Sequence, residues 1–266
     1  MTGQISPFYG SLEIQQLQAA QDAQVAELAN VAGAVVHARV FSSDDPEALG
    51  WSRLREIMAD QGRITLRGVD SATIERAKEE LSGFAPSLHF WDLFMADART
   101  IRDVCGPIVA QGIPEPLARV PDDLLTPEKI REVQVFLTDQ GVSPFSTNAL
   151  RGDLFPAKLA VLEHGDGRIG AAGFAAMTHN RHSVFADAAW VGLIAVDPDL
   201  RGLGLGKTID AICNLIAVEE LGAKHTMEFV ATDNVPSRAM LESCGLRQVE
   251  GKSVVMFSTS DERLTR

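Results

Sequence analysis

The sequence predicts an α/β (α+β) protein with two modules, and three observations indicate this. Helix-like and strand-like hydrophobic patterns alternate along the chain. Hydrophobic residues make up 45% of the 266 residues, which is enough to build cores. Prolines cluster between Gln111 and Pro127, where few apolar residues occur, and proline favours a boundary over a packed element. We therefore expect an N-terminal α/β module at residues 1–112 and a second domain at residues 117–258.

The N-terminal module carries a mixed pattern without a recognisable catalytic motif. Its last predicted helix contains Phe90, Trp91, Phe94 and Ile101 at helical spacing, which is typical of a buried face. The module is either an accessory unit or a degenerate second copy of the C-terminal domain, although it lacks any glycine loop. The predicted helices are Leu12–Ala32, Glu47–Ala59, Ser71–Leu81 and Phe90–Ile108, and the predicted strands are Ala34–Phe41 and Arg63–Val69.

The C-terminal half shows a clearer order of elements. Thr126 is suited to cap a helix that opens with Pro127. Residues 165–167 read Gly-Asp-Gly, which is typical of a tight hairpin turn, and Gly222 ends the longest helix. The other predicted helices are Phe145–Leu150, Gly204–Leu221 and Pro236–Cys244, and the predicted strands are Lys158–Glu163, Arg168–Thr178, Ala188–Val196, His225–Val230 and Ser253–Phe257.

A glycine-rich loop follows the apolar strand at 188–196 and leads into the longest helix. Glycine occupies every second position between Arg201 and Lys207. Alternate glycines let backbone N–H groups converge on a phosphate without interference from Cβ atoms. The free N–H groups and the dipole of the following helix attract an anion, and the two flanking cations strengthen that attraction. The loop therefore predicts a phosphate-binding site.

Two familiar phosphate-binding motifs fail here on spacing. A Walker P-loop ends in Gly-Lys-Thr, as residues 206–208 do, but it requires a glycine where Arg201 stands. A dinucleotide fingerprint requires Gly-x-Gly-x-x-Gly. Its last position is Lys207 when it starts at Gly202, and Ile209 when it starts at Gly204. Neither motif is present.

A third pattern fits. Residues 201–206 match Arg/Gln-x-x-Gly-x-Gly/Ala, and the strand before them ends in Val196-x-Pro198. After one further predicted strand, residues 234–246 read Asn-x-x-Ser-x-x-Met-Leu-Glu-x-x-Gly-Leu. Together, in this order, these elements resemble the GCN5-related N-acetyltransferase (GNAT) superfamily. The resemblance covers the C-terminal half and leaves residues 1–112 without an assignment.

The resemblance implies a mixed, mostly antiparallel sheet flanked by helices and splayed between the strands at 188–196 and 225–230. Acyl-CoA, here expected to be acetyl-CoA, would lie in the gap as cosubstrate. In the family, the end of the first strand binds the pantetheine, the glycine loop binds the pyrophosphate and the asparagine helix flanks the cofactor arm. The implied cofactor-binding residues are Ile194, Ala195, Val196, Arg201, Gly202, Leu203, Gly204, Leu205, Gly206, Lys207, Asn234 and Ser237.

Two catalytic side chains that the family often uses are absent. Leu241 stands where a tyrosine often acts as general acid, and the chain has one tyrosine, Tyr9. Gly192 stands where a glutamate often acts as general base. Amine acylation still requires that the ammonium proton be removed, so another base or a deprotonated substrate is needed.

Other residues provide substitute catalytic candidates. His179 and His182 lie in a predicted loop where either could act as base near neutral pH, although a solvated loop histidine is the simpler explanation. Asp187 precedes the central strand and could act through water, or it merely begins the strand. Cys244 near the expected thioester and Trp190 near the expected acceptor pocket are also explained by packing.

Composition and charge restrict the partners. The net charge is −12 and no basic stripe occurs, which disfavours nucleic acid. No apolar run is long enough for a membrane span, and no secretory signal is recognisable. Three cysteines without metal-ligand spacing predict no metal site and favour reduced thiols in the cytoplasm. We expect a small-molecule or peptide amine as acceptor, and the sequence leaves a homodimer open.

These observations predict an acyltransferase that moves an acetyl group from acetyl-CoA to an amine by direct attack. The main alternative is a non-enzymatic module that binds or senses acyl-CoA and uses its N-terminal half to bind a protein partner. The missing tyrosine and glutamate favour this alternative. A nucleotide hydrolase is a remote third interpretation.

Overall fold

A computed structural model describes residues 5–260. Its helices are α1 (Leu12–Leu28), α2 (Pro46–Leu49), α3 (Trp51–Gln61), α4 (Ser71–Glu80), α5 (Ala98–Ala110), α6 (Pro127–Asp139), α7 (Thr147–Leu150), α8 (Leu205–Glu219) and α9 (Val235–Ser243). Its strands are β1 (Ser42–Ser43), β2 (Arg63–Val69), β3 (Ser87–Asp97), β4 (Leu117–Arg119), β5 (Ala157–His164), β6 (Ile169–Ala176), β7 (Ala188–Val196), β8 (His225–Val230) and β9 (Arg247–Ser258).

Several helices begin directly after a residue whose side chain caps the helix. The side chains of Asp70, Asp97 and Thr126 accept hydrogen bonds from backbone N–H groups in the first turns of α4, α5 and α6. These bonds satisfy donors that a helix leaves unpaired at its start. Pro127 follows its cap directly, as the sequence predicted.

The nine strands found within residues 5–260 form one sheet in the order β1-β2-β9-β3-β8-β7-β6-β5-β4. The β1–β2 and β7–β8 pairs are parallel and the other pairs are antiparallel. Helices cover both faces of this sheet. The predicted fold class, a mixed and mostly antiparallel sheet flanked by helices, is therefore confirmed.

Strands from both halves of the chain alternate within this sheet. β9 lies between β2 and β3, and β3 in turn pairs with β8. The two predicted modules therefore share one hydrogen-bonded sheet, without a break at the proline-rich segment. The assignment of residues 1–112 and 117–258 as separate domains stays a prediction.

Two predicted elements of the N-terminal half are wrong. The segment Ala34–Phe41 is not a strand and makes only isolated bridges, one from Ala34 to Ser43 and one from Val35 to His179. The segment predicted as a helix from Phe90 begins as strand β3, and helix α5 starts only at Ala98. Aromatic residues favour strands, and pairing with β8 and β9 decides the outcome here.

Helices pack against both faces of the sheet around its central strands, β7 and β8. We call the face covered by α1, α6 and α7 the front face, and the face covered by α5, α8 and α9 the back face. Along β7 the side chains alternate, so that Trp190 packs in the front core and Val191 in the back core. Within residues 5–260, no helix combines the length and apolar character that a bilayer crossing requires.

Candidate active site

The central strands β7 and β8 separate part-way along their length. They pair only between Ala188–Trp190 and His225–Met227. Beyond this point β7 continues beside β6 to Val196, while β8 continues beside β3 to Val230. We call the gap between residues 191–196 and 228–230 the fork. It confirms the splay that the sequence predicted.

A β-bulge lies in β7 along the fork. Ala172 pairs with Ala195 and Phe174 pairs with Gly192, so Gly173 faces two residues of β7. One of these, Leu193, has a φ of 55°, a left-handed conformation that is unfavourable for a leucine. Such strain, on the order of 1–3 kcal/mol, tends to occur where the backbone is shaped for a ligand.

The glycine loop lies at the open end of the fork. Gly202 and Gly204 have φ values of 78° and 80°, and a Cβ atom added at either would meet nothing within 4 Å. Helix α8 begins at Leu205, and the N–H groups of its first turn have no partner inside the helix. The Arg201 guanidinium donates a hydrogen bond to Gln140 Oε1 at 2.8 Å, and the Lys207 side chain is exposed. The loop is therefore an open, positively polarised surface that suits a phosphate.

Helix α9 meets the loop from the other side. A Cβ atom on Gly206 would lie 3.4 Å from Met240 Sδ of α9, and Cys244 Sγ lies 3.6 Å from the Lys207 carbonyl oxygen. Asn234 Oδ1 accepts a hydrogen bond from the N–H of residue 237 at 3.2 Å and so caps α9. The Asn234 side chain thus has a capping role in α9, and the cofactor contact expected of Asn234 and Ser237 stays a prediction.

The histidine and aspartate candidates lie apart from the loop. His179 is 6% exposed, and burial together with the nearby Arg67 lowers its pKa to about 3. With so low a pKa the His179 imidazole is neutral at pH 7, and its assignment as the base stays a prediction. His182 is exposed, and Asp187 makes an ion pair with Lys224 at 2.6 Å. Asp187 precedes β7, whose opposite end at Val196 is roughly 30 Å away at the usual rise per residue.

Trp190 explains why residue 192 is glycine. A Cβ atom on Gly192 would lie 2.4 Å from the Trp190 ring, so a glutamate there requires the ring to move. The indole is 5% exposed, and its Nε1 has no hydrogen-bond partner in the described part of the chain. Its ring centroid lies 6.4 Å from that of Phe229 on β8. The two aromatic side chains thus flank the point where the fork opens on the front face.

No tyrosine replaces the missing acid. Leu241 is buried in the back core beside Cys244. Tyr9 stacks under the guanidinium of Arg131 on α6, with its ring centroid 4.7 Å from Cζ. The absence of the tyrosine and the glutamate is therefore not compensated at the same positions.

A buried polar cluster on the back face was missed from the sequence. Asn214 Nδ2 donates to Glu228 Oε1 and to the Asp210 carbonyl oxygen, each at 3.0 Å. Burial raises the pKa of Asp210 to about 6. Burial, and next the negative charge of Asp210, raise the pKa of Glu228 well above its usual value. Polar residues four apart within the apolar pattern of α8 were the available signal.

Two arginines of the N-terminal half were also missed. Arg39 Cζ lies 5.9 Å from the Trp190 ring centroid, and Arg67 Cζ lies 5.1 Å from that of Phe229. Burial lowers the pKa of Arg39 to about 10 and that of Arg67 to about 9, so both remain cationic at neutral pH. Residues 1–112 therefore contribute directly to the front of the fork.

Comparisons with known proteins agree with this geometry. Residues 136–246 match the model of the acetyltransferase (GNAT) family. No curated protein matches the chain. A Drosophila protein superposes with a TM-score of 0.57 at 14% identity, over 93% of this chain and 89% of its own.

Two further solved structures show the same likeness. A GCN5-related N-acetyltransferase from Kribbella flavida has a TM-score of 0.54 at 15% identity, over 91% of this chain and 94% of its own. A GCN5-related N-acetyltransferase-like protein from Streptococcus suis has a TM-score of 0.51 at 12% identity, over 90% of this chain and 99% of its own. At such identities the likeness concerns the fold, and it extends over both halves of the chain.

Proposed function

We propose, because residues 136–246 match the model of the acetyltransferase (GNAT) family, that this protein transfers an acetyl group from acetyl-CoA to an amine. One observation carries the proposal. The fork opens beside a glycine loop that begins a helix, so a phosphate site and an unpaired strand edge adjoin. An acyl-CoA needs both, one for its pyrophosphate and one for its pantetheine amides.

The residues present fit this cosubstrate. The space above Gly202 and Gly204 is open to phosphate oxygens, and the first turn of α8 offers N–H donors. Arg201 and Lys207 are exposed cations beside the loop. The edge of β7 that faces the fork can bond pantetheine amides as an added strand would. Its bulge at Leu193 offers main-chain groups to the acyl oxygen.

The bonds and protons of the proposed acetyl transfer can be followed step by step. The ammonium form of the acceptor first loses a proton. Its nitrogen then attacks the thioester carbonyl carbon, so that a C–N bond forms and the C–S bond breaks. CoA leaves as a thiolate and takes up a proton. Per turnover, an ammonium and acetyl-CoA give an acetamide, CoA and one released proton.

No side chain is required to protonate the leaving group. A thiol pKa near that of cysteine, about 8.5, allows a thiolate to depart near neutral pH without a strong acid. His179 is neutral and buried, so it supplies no base of ordinary strength. The ammonium proton therefore passes to water, and main-chain donors at the bulge stabilise the oxyanion.

Titration calorimetry with CoA and acetyl-CoA, followed by an assay for amine-dependent thiol release, tests the proposal. We expect binding of both and turnover with a subset of amines. An unmodified, folded protein that binds neither CoA nor acetyl-CoA would falsify it.

A CoA-sensing module is the second candidate, and the missing tyrosine and glutamate favour it. The two candidates differ in one outcome. Tight CoA binding without turnover on a broad amine panel supports the sensor, whereas amine-dependent thiol release supports the enzyme.

A further inference from the structure

Two guanidinium groups lie on the front face where the fork begins. Arg39 comes from the loop after α1 and stacks over Trp190 and Phe145, with Cζ 5.9 Å and 5.6 Å from their ring centroids. Arg67 comes from β2 and stacks over Phe229 at 5.1 Å. The charges of the two arginines act on one another, since Arg39 contributes to the lowered pKa of Arg67. We call these five residues the front cluster.

The cations of the front cluster are poorly satisfied by the protein. Arg67 is 8% exposed, and its Nε and Nη1 atoms are buried without a hydrogen-bond partner among residues 5–260. Arg39 Nε donates to the Ser143 carbonyl oxygen at 2.9 Å. Within residues 5–260, neither arginine has a carboxylate oxygen within 4.0 Å. Asp44 acts on Arg67 only at longer range.

An unpaired buried cation is costly, because it loses hydration without gaining a counter-charge. Arg67 is such a cation, and the partly exposed Arg39 adds a second positive charge that acts on it. Aromatic faces offset part of the cost through cation–π attraction, but they leave the N–H donors unused. Trp190 Nε1 is a further buried donor without a partner in the same place. The cluster therefore has the composition of a preformed anion site.

The site is well placed for the acceptor. The glycine loop and α8 lie on the back face, so an acyl-CoA would reach the fork from that side. Trp190 and Phe229 lie on the front face, which leaves that side for the attacking amine. An anion held by the arginines would thus belong to the acceptor.

We propose that the front cluster binds the carboxylate of the acceptor, so that the acceptor is an amine that carries a carboxylate, as an amino acid does. This inference rests on the proposed acetyl transfer. Arginine matches a carboxylate with two parallel hydrogen bonds. A zwitterion carries no net charge, so the net charge of −12 does not repel it.

Matched acceptors test the inference. Thiol release from acetyl-CoA would be measured with leucine, phenylalanine and glutamate, with their α-amides, and with aminoethyl phosphate. We expect kcat/KM for at least one amino acid to exceed that of its α-amide by tenfold or more. Calorimetry in the presence of CoA would compare the affinities for N-acetyl amino acids with those for their α-amides. It tests the same preference for a carboxylate without turnover.

Variants test whether the arginines cause the preference for an amino acid over its α-amide. Arg67→Met and Arg39→Met should each reduce the acid-to-amide ratio towards one, with CoA affinity unchanged. Arg67→Met should also keep or raise the melting temperature, because a buried unpaired cation is replaced by an apolar chain. Arg53→Met is the control, since Arg53 makes an exposed ion pair with Glu27, and its ratio should equal that of the unmodified protein.

The outcomes are distinct. Equal rates and equal product affinities for acids and amides, with CoA binding intact, overturn this inference alone. A preference for aminoethyl phosphate over every amino acid also overturns the carboxylate assignment. If the unmodified protein does not bind CoA, the proposed function itself is rejected.

Discussion

Trp190 and Gly192 illustrate how one residue restricts another on the same strand. The indole ring fills the space into which a side chain at 192 would point. A glutamate at position 192 and this tryptophan thus exclude one another in the present geometry. Trp190 instead forms an aromatic wall with Phe229 at the front of the fork.

Substitution of Gly192 tests this contact. Gly192→Ala should lower the free energy of unfolding by about 1–3 kcal/mol, because a methyl group is forced into the ring. The loss should shrink when Trp190 is also replaced by leucine, as measured by urea denaturation. Gly106→Ala in α5 is the control, since its Cβ meets nothing within 4 Å, and it should be neutral or stabilising. Equal losses in both backgrounds would refute the steric explanation.

Asp210 gives the protein a pH-dependent stability. Its pKa rises from 3.8 unfolded to about 6 folded, because burial penalises the charged form. The folded state therefore binds the proton more tightly, and stability declines as pH rises from about 4 to about 6. The charge of Asp210 also raises the pKa of its neighbour Glu228, so the decline continues above pH 6 as Glu228 ionises beside it.

Asp210→Asn should remove this decline, as urea unfolding between pH 4 and 8 would show. The difference in unfolding free energy between the unmodified protein and the variant should fall as the pH rises, because ionised Asp210 is both desolvated and close to Glu228. Asp187→Asn is the control, because this carboxylate is exposed and lies outside the buried cluster of Asp210, Asn214 and Glu228. A difference for Asp210→Asn that is independent of pH would contradict the assignment.

Helix α8 has a glycine in the left-handed conformation at each end, and only one of them adjoins the fork. Gly204 at the start has a φ of 80° and Gly222 after the end has a φ of 72°. Neither has a neighbour within 4 Å of an added Cβ atom. Their substitutions should therefore have similar effects on folding and different effects on CoA binding.

We expect Gly204→Ala and Gly222→Ala each to cost about 1–2 kcal/mol of stability. Gly204→Ala alone should weaken CoA binding by at least about tenfold, or 1.4 kcal/mol, because its methyl group enters the phosphate space. Melting curves and calorimetry provide the two measurements. Equal CoA affinity in both variants would remove the loop from the proposed site.

The accuracy of the sequence predictions differs between elements for a physical reason. The apolar run of β7, the glycines and the periodicity of α8 are local signals, and they located the fork and the loop correctly. Strand β3 depends on pairing with residues far away, such as Asp92 with Val230, which no local pattern reveals. Arg39 and Arg67 were missed for the same reason, since their aromatic partners lie on distant elements.

At the scale of the whole molecule, the shared sheet predicts that the C-terminal half does not fold by itself. Among the strands of residues 5–260, β9 pairs only with β2 and β3, so a fragment from Leu117 onward leaves β9 without these neighbours. The fragment also exposes the front face of Trp190 and Phe229. We expect it to aggregate or to show no cooperative melting, whereas the full chain melts cooperatively.

Adding residues 1–116 as a separate polypeptide should restore a folded complex if the sheet is the cause. Circular dichroism and size-exclusion chromatography would report the result. A fragment from Leu117 that melts cooperatively and binds CoA without this partner would show that the C-terminal half is an independent domain.

The position of β9 also sets the order in which the protein can assemble during synthesis. β2 and β3 emerge from the ribosome early, yet the site between them stays vacant until residues 247–258 have been made. At about 5–20 residues per second, that interval is on the order of 10–40 seconds. Two strand edges remain open for that time, and an open edge invites pairing with another chain. Nascent copies on one messenger RNA are thus at risk of exchanging β9, and a chaperone that shields the early strands would raise the yield.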